Sequence, residues 1–341
     1  MIYRSKAPLR IGLAGGGTDV SPYSDEFGGA ILNATLSLHA HAGIETIEEQ
    51  KIILTSIDQK AEQSFELTDQ LPVTGELDLL KGVYNRIQND YPFQTRGLRL
   101  TTHVDAPAGS GLGTSSTLVV AILGAFVEML KLPLGDYDIA HYAYEIERND
   151  LQLAGGRQDQ YAATFGGFNF MEFSANDKVI VNPLRIRQDY LNELENNLVL
   201  YFTSTTRESA TIITEQQKNV KEKNSKSIDA MHQLKEQAKM MKEALLVGRL
   251  DQIGEILDYG FRQKKNMAAN ISNSKLEEIY EAAKKAGASG GKISGAGGGG
   301  FMIFYCPGNT RYKVIETLNT FGGRVRPYQF TQHGLTSWTI Q

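Results

Sequence analysis

The segment from Pro107 to Ser116, Pro-Ala-Gly-Ser-Gly-Leu-Gly-Thr-Ser-Ser, places three glycines and several hydroxyls directly before an apolar stretch. Glycine allows tight turns and close approach to a ligand that a β-carbon would block. Thr114, Ser115 and Ser116 stand where a helix N-cap belongs, and the apolar residues Leu118 to Leu132 predict a buried helix behind them. Because free N–H groups and the helix dipole attract anions, the segment predicts a phosphate loop. The alternative is an ordinary serine-capped junction; a P-loop is excluded because no lysine directly follows the third glycine.

A second glycine-rich segment, Gly12 to Asp19, follows a predicted strand. Arg10, Thr18 and Asp19 surround its glycines, and this polar set suits a ligand rich in hydroxyls. A dinucleotide-binding loop is disfavoured because the spacing is not Gly-x-Gly-x-x-Gly and Pro22 interrupts any following helix. The remaining alternative is a plain glycine turn.

A third glycine-rich segment, Lys292 to Gly300, stands immediately before a predicted strand, Phe301 to Tyr305. A glycine loop in this position lets two backbones, or a backbone and a ligand, come close. A flexible linker is the alternative, but linkers rarely stand between a helix and a buried strand.

Composition restricts the class of protein. The chain has 341 residues, 41% hydrophobic residues and a net charge of −4, which disfavours a nucleic-acid partner. Its single cysteine, Cys306, excludes a disulfide framework. The first residues lack an apolar signal core, and the apolar run after Ser116 contains Glu128, so we expect a cytoplasmic protein without a membrane partner. The six histidines show no paired spacing with acids, so we expect them to be structural, without a zinc site.

Hydrophobic periodicity predicts strands and helices without regular alternation, which indicates an α+β fold. Strands are expected at 2–14, within 28–57, and at 98–104, 165–173, 198–203, 301–306 and 324–331; helices are expected at 77–89, after 116, and at 136–149, 208–268, 274–286 and 312–321. The domain boundary is expected between 175 and 195.

At these residues the chain resembles the GHMP family of small-molecule kinases. The resemblance rests on Lys6-Ala-Pro8 with Arg10, on the phosphate loop and on the third glycine segment, and it spans nearly the whole chain. It implies a ribosomal-S5-like N-terminal domain over 1–185 and a ferredoxin-like C-terminal domain over 186–341. ATP would lie in the cleft between the two domains.

The resemblance also implies catalytic residues. Asp159, within Gly155 to Gln160, matches the family's aspartate and would act as the base that orients and deprotonates the attacking hydroxyl. Arg10 matches the basic residue that pairs with this aspartate and offsets charge on the transferred group. Glu147 and Ser115 would be the two protein ligands of Mg²⁺, with an exposed helix charge as the alternative for Glu147.

The same resemblance assigns binding residues in two groups. Those expected to bind ATP are Pro107, Gly109, Ser110, Gly111, Leu112, Gly113, Thr114, Ser115 and Ser116. Those expected to bind the substrate are Gly17, Thr18, Asp19, Gly156, Arg157, Gly297 and Gly298.

Within the family, Gly16-Gly17 before Thr18-Asp19 disfavours the galactokinase branch, and the three motifs together resemble the heptose kinase branch. That resemblance implies phosphorylation of the anomeric hydroxyl of D-glycero-D-manno-heptose 7-phosphate, for surface polysaccharide synthesis. A fucokinase-like enzyme and a non-catalytic sugar or nucleotide sensor are the alternatives. The cations that could hold the substrate's own phosphate are Arg157, Arg207, Lys264 and Lys265, with surface solvation as the alternative for each.

Overall fold

Two β-sheets, one of eight strands and one of four, organise the part of the chain that the computed structural model describes, residues 1–94, 97–205 and 209–340. The strands are β1 (Ile2–Ala14), β2 (Gly29–Thr46), β3 (Lys51–Ser56), β4 (Ala61–Glu66), β5 (Leu98–Val104), β6 (Phe168–Phe173), β7 (Val179–Pro183), β8 (Leu198–Phe202), β9 (Gly290–Ile293), β10 (Phe301–Tyr305), β11 (Arg324–Val325) and β12 (Thr336–Ile340).

Helices fill the connections and cover the sheets. They are α1 (Tyr23–Phe27), α2 (Asp78–Asp90), α3 (Thr114–Leu130), α4 (Asp136–Glu145), α5 (Gln158–Phe165), α6 (Gln188–Asn197), α7 (Ser209–Lys221), α8 (Ser225–Val247), α9 (Ile253–Lys264), α10 (Ser274–Ala286) and α11 (Arg311–Asn319). A π-helical turn, Ile146–Asp150, continues α4, and a 3₁₀ turn, Leu250–Gln252, precedes α9. Within the described residues, no helix combines the length and apolar character needed to cross a bilayer.

The larger sheet is built around β2. Its strand order is β12-β1-β2-β5-β3-β4, and β6 joins it through β2 and carries β7. The long strand β2 pairs with β6 over its first part and with β5 over its last part. Helix α3 packs on β1 and β2. Its residues from Leu118 to Phe126 are buried, as their uninterrupted apolar character predicts.

The smaller sheet has the order β11-β8-β10-β9, with antiparallel pairing throughout. Val199 and Tyr201 from β8 share one core with Met302 and Phe304 from β10 and with residues of α9, α10 and α11. Helix α8 packs against α9 and also against β1 and β2. It therefore links the smaller sheet to the larger one.

The α+β class predicted from the sequence is confirmed, and so are β1 and α3. The prediction of a final strand over 324–331 was wrong. Within 324–331, Arg324–Val325 forms a two-residue strand with β8 and Phe330 forms an isolated bridge with Leu36. The last strand of the described chain is β12, which pairs with β1. The side chains of β12 are mostly exposed, so its sequence carries little hydrophobic alternation. The division into domains near residue 185 stays a prediction.

Candidate active site

A cleft of about 580 Å³ collects residues from all three glycine-rich segments. Both halves of the chain line it: β1, the phosphate loop and the start of α5 from the first half, and α7, α9 and the third glycine segment from the second. The expected site residues that line it are Arg10, Gly17, Asp19, Gly109, Gly111, Gly113, Thr114, Ser115, Ser116, Glu147, Gly156 and Asp159.

The phosphate loop depends on glycine for its backbone. Gly111 and Gly113 have φ values of +84° and +76°, a region that L side chains rarely adopt. A β-carbon on Gly111 would lie 2.3 Å from the carbonyl oxygen of Ser294, so the loop packs directly against the third glycine segment. The Ser294 hydroxyl also donates to the Gly111 carbonyl over 2.9 Å.

The N-cap of α3 differs from the prediction. Gly113 is the N-cap residue, and none of the described side chains caps it. The three hydroxyl residues expected at the cap, from Thr114 to Ser116, instead form the first turn of the helix and line the cleft. The first N–H groups of α3 therefore stay available to a ligand in the cleft, as an anion site at a helix start requires.

Arg10 and Asp159 form a bidentate ion pair that lines the cleft. The Nε and Nη2 atoms of Arg10 donate to the two carboxylate oxygens of Asp159 over 2.7 and 2.8 Å. The Nη1 atom of Arg10 donates to the carbonyl of Gly111 over 2.6 Å. Because both oxygens are held, the carboxylate has a fixed orientation toward the phosphate loop.

Asp19 provides a second carboxylate in the cleft, beside the N-terminus of α5, and unlike Asp159 it is fully buried. Its Oδ2 accepts hydrogen bonds from the backbone N–H groups of Arg157 and Gln158 over 2.9 and 3.1 Å. Burial raises the pKa of Asp19 above its usual value, and the charge of Asp159 adds to this effect. A β-carbon on Gly156 would lie 1.9 Å from Asp19 Oδ2, so the glycine is required for this close approach.

Glu147 is buried at the cleft wall, in the π-helical turn. This burial excludes the alternative of an exposed helix charge. The Gln160 amide donates to one of its oxygens, and Arg148 lies 3.8 Å from the other. Ser115 and Ser116 line the same cleft, and Gln160 also donates to the Ser116 hydroxyl over 3.2 Å. A buried carboxylate beside serine hydroxyls is a hard oxygen donor set, which fits Mg²⁺.

Two buried lysines face the same cleft. The Lys264 ammonium donates to the carbonyl of Gly295 over 2.6 Å, and burial lowers its pKa to about 8. The Lys292 ammonium donates to the carbonyls of Gly12 and Ile293, both over 2.8 Å. Burial, with Lys264 and Arg10 nearby, lowers the pKa of Lys292 well below its ordinary value.

Several residues expected in the site lie elsewhere among the described residues. The Arg157 guanidinium turns away from the cleft and contacts Asp25, Ser24 and the carbonyl of Ser174. Lys265 pairs with Glu277 over 3.0 Å. Expected residues that do not line the cleft within the described chain are Pro107, Ser110, Leu112, Thr18, Arg157, Gly297 and Gly298. Arg207 lies outside the described residues.

Some of these residues stabilise the backbone around the cleft without lining it. The Thr18 hydroxyl lies 2.9 Å from the carbonyl oxygens of Gly15 and Ala30 and accepts the Ala30 N–H over 3.1 Å. These contacts hold the second glycine segment against β2. The Leu112 carbonyl accepts from the backbone N–H of Arg10 over 3.1 Å. Gly298 donates its N–H to the carbonyl of Ile271 over 2.7 Å.

Sequence reasoning missed some cleft residues. Lys292 begins the third glycine segment, but the sequence pattern did not indicate a role for its side chain. Gln158 stands beside Asp159, and its buried Oε1 has no hydrogen-bond partner among the described residues. Gln216 of α7 lines the cleft and donates to the Gly17 carbonyl over 2.7 Å. No local pattern marks Gln216, because helix packing brings it to the cleft from a distant segment.

The family models for the GHMP kinases N terminal domain and the GHMP kinases C terminal match residues 78–167 and 241–323. A D-glycero-alpha-D-manno-heptose 7-phosphate kinase from Campylobacter jejuni is 48% identical, over 99% of both chains. The chain belongs to the GHMP kinase family, whose members are ATP-dependent phosphotransferases.

Two further relatives differ in how much of their own length this chain matches. The crystal structure of a D-glycero-D-manno-heptose 1-phosphate kinase from Bacteroides thetaiotaomicron has a TM-score of 0.85 and 46% identity, covering 99% of both chains. A bifunctional fucokinase/GDP-fucose pyrophosphorylase from Arabidopsis thaliana is 27% identical over 91% of this chain but only 30% of its own length. Both heptose phosphate kinases therefore match this chain over nearly their full length, whereas the fucokinase match covers less than a third of that protein.

Proposed function

We propose that this protein transfers the γ-phosphoryl group of ATP to the anomeric hydroxyl of D-glycero-D-manno-heptose 7-phosphate. The products are ADP and the 1,7-bisphosphate, a precursor for surface polysaccharides. The observation that carries the chemistry is the Arg10–Asp159 pair, which faces the phosphate loop within one cleft. The identity of 48% over nearly the whole length of the Campylobacter jejuni enzyme supports the choice of sugar.

In this mechanism Asp159 orients the attacking hydroxyl and accepts its proton as the oxygen attacks the γ-phosphorus. The bond from the γ-phosphorus to the bridging oxygen breaks, and ADP leaves with the electron pair. Such transfers depend mainly on position and on stabilisation of charge, because their transition states are loose. The two hydrogen bonds from Arg10 keep the carboxylate in one orientation, which supplies part of that positioning.

Charge on the transferred group would be balanced from several sides. The first N–H groups of α3 and the backbone around Gly111 would hold the phosphates of ATP. Ser115 and Glu147 would hold Mg²⁺. When bound, the ion neutralises charge on the β- and γ-phosphates.

The sugar would occupy the part of the cleft near Asp19. This carboxylate can accept hydrogen bonds from sugar hydroxyls, and the unpaired Oε1 of Gln158 provides a second acceptor nearby. Since the Arg157 guanidinium turns away, Lys264 and Arg207 remain the proposed contacts for the phosphate at position 7. An enzyme can use binding energy from such a remote phosphate to fix the reacting hydroxyl.

The test compares kcat/KM for heptose, heptose 7-phosphate, heptose 1-phosphate, L-fucose and galactose, using release of ADP, and identifies each product by phosphorus NMR. The heptose 1-phosphate arm matters because the two similar heptose kinases are named for different phosphate positions. We expect heptose 7-phosphate to be preferred by at least 100-fold over the free heptose. Preference for fucose or for the 1-phosphate contradicts the substrate and leaves a kinase, whereas no turnover with any sugar favours a sensor.

A further inference from the structure

Three histidines and one aspartate converge on the larger sheet, away from the cleft. His39 and His41 stand two residues apart on β2, so their side chains point to the same face. His103 of β5 is the register partner of His41. Asp105 follows β5 directly and donates its backbone N–H to the carbonyl of His39 over 2.9 Å. The pairing of β2 with β5 thus brings together two pairs of side chains that lie about sixty residues apart in the sequence.

The side chains of His39, His41 and Asp105 can share one ion. One ligand atom from each residue lies within 4.8 Å of the other two. The Nε2 atom of His41 is 3.8 Å from Oδ2 of Asp105. That same oxygen accepts the backbone N–H of His39 over 2.8 Å, which fixes the carboxylate. All three residues are partly exposed, so an ion can reach them from solvent.

The fourth member, His103, lies against the other oxygen of Asp105. Its Nε2 atom is 3.5 Å from Oδ1 of Asp105. Its Nδ1 atom lies 4.0 Å from Oδ1 of Asp58. His103 is therefore a neighbour of the cluster and not one of its three ligand residues.

Lys6 of β1 is the register partner of His41 and places one positive charge on the neighbouring strand. The Asp105 carboxylate supplies the negative charge that a divalent ion needs in the site.

We propose that His39, His41 and Asp105 bind a divalent transition-metal ion of the zinc class. Two imidazoles and one carboxylate are the donor set that Zn²⁺ takes with one position left open. Mg²⁺ prefers oxygen donors, so this site and the Glu147 region of the cleft select different ions. Asp105 stands two residues before Pro107, so the ion would sit where the phosphate loop begins.

The experiment uses the full chain without a polyhistidine tag, freed of metal by a chelator and then supplied with excess Mg²⁺. Calorimetric titration with ZnCl₂ is expected to show one ion per chain with a micromolar or tighter Kd. His41→Gln and Asp105→Asn should each weaken binding by at least 10-fold. The control is His141→Gln, because His141 also lies near a carboxylate, Glu145 at 3.6 Å, but outside the cluster.

Kinase turnover without zinc serves as the folding control, since the cluster does not line the catalytic cleft among the described residues. If one variant fails this control, His39→Gln replaces it, with Co²⁺ absorption as the second readout of imidazole ligation. Loss of stoichiometric binding in the cluster variants alone supports the site. The absence of binding by the native chain, or equal binding by His41→Gln and His141→Gln, overturns it.

Discussion

Gly113 faces Asp159 so closely that a β-carbon on the glycine would lie 3.1 Å from Oδ2 of the carboxylate. Gly113 is also the N-cap of α3 and belongs to the phosphate loop. Gly113 therefore shapes the backbone that would bind the nucleotide and also leaves the space that the proposed base occupies. A substitution at Gly113 is expected to affect both the loop and the base.

Replacing Gly113 by alanine should therefore reduce kcat by at least 10-fold, because the new methyl group displaces the Asp159 carboxylate. The matched control is Gly322→Ala. Gly322 has a φ of +75° against +76° for Gly113, but a β-carbon there meets no atom within 4 Å. Both variants carry a left-handed backbone strain of roughly 1–2 kcal/mol. Equal kcat losses in the two variants, measured by release of ADP, would show that strain alone is responsible.

Asp159→Asn should lower kcat by roughly 100-fold or more, the scale expected for removal of a general base, and leave ATP affinity within a few-fold. The side chain keeps its shape but no longer accepts the proton or pairs with the Arg10 charge. Asp189→Asn is the control, because Asp189 is exposed and pairs with Arg187 at 2.8 Å on the surface. A variant that keeps a tenth of native kcat contradicts the proposed role of Asp159.

Glu147→Gln should raise the Mg²⁺ concentration needed for half-maximal activity by at least 10-fold, because an amide oxygen binds the ion less strongly than a carboxylate. The experiment titrates Mg²⁺ at fixed, saturating ATP. Glu172→Gln is a suitable control, since Glu172 is exposed on β6 and bonds to Asn182 over 3.2 Å. An unchanged Mg²⁺ requirement in Glu147→Gln removes this residue from the proposed ion site.

The activity should also depend on the charge of Lys264. Because burial lowers the pKa of Lys264 to about 8, its side chain is cationic below that pH and neutral above it. We therefore expect kcat/KM to fall by about 10-fold per pH unit above pH 8, since the neutral amine no longer attracts phosphate.

Two substitutions check this origin of the pH dependence. Lys264→Met should lose the alkaline fall and have a low kcat/KM at all pH values. Lys265→Met should keep the fall, because the neighbouring Lys265 pairs with Glu277 and does not line the cleft in the described chain. An alkaline fall that persists in Lys264→Met assigns it to another group.

Local sequence patterns predicted the features that depend on residues near to one another in the sequence. The apolar residues after Ser116 predicted a buried helix, and the glycines predicted where backbones approach each other closely. The identity of the N-cap was missed, because a glycine in the left-handed region can begin a helix without a side-chain cap. The backbone conformation of this one turn determines which residue is the N-cap, and the spacing of residue types in the sequence does not indicate that conformation.

Long-range contacts set the limit of prediction. The sequence predicted Arg157 as a possible phosphate ligand, but Asp25, a partner from a distant segment, neutralises its charge. The sequence showed no pairing of these histidines with acidic residues, because Asp105 comes close to His39 and His41 only when β2 pairs with β5. The exposed strand β12 is recognised by its backbone bonds to β1, which leave no pattern in its side chains.

The pairing of β12 with β1 has a consequence for how the protein is made. Residues Ile2 to Lys6 find their partners in Thr336 to Ile340, near the opposite end of the described chain. At synthesis rates of about 5–20 residues per second, the partner strand emerges roughly 15–70 s after β1. During that interval the outer edge of β1 is open to pairing with other chains. The nascent chain therefore carries the edge of β1 without its native partner until residues 336–340 have been synthesised.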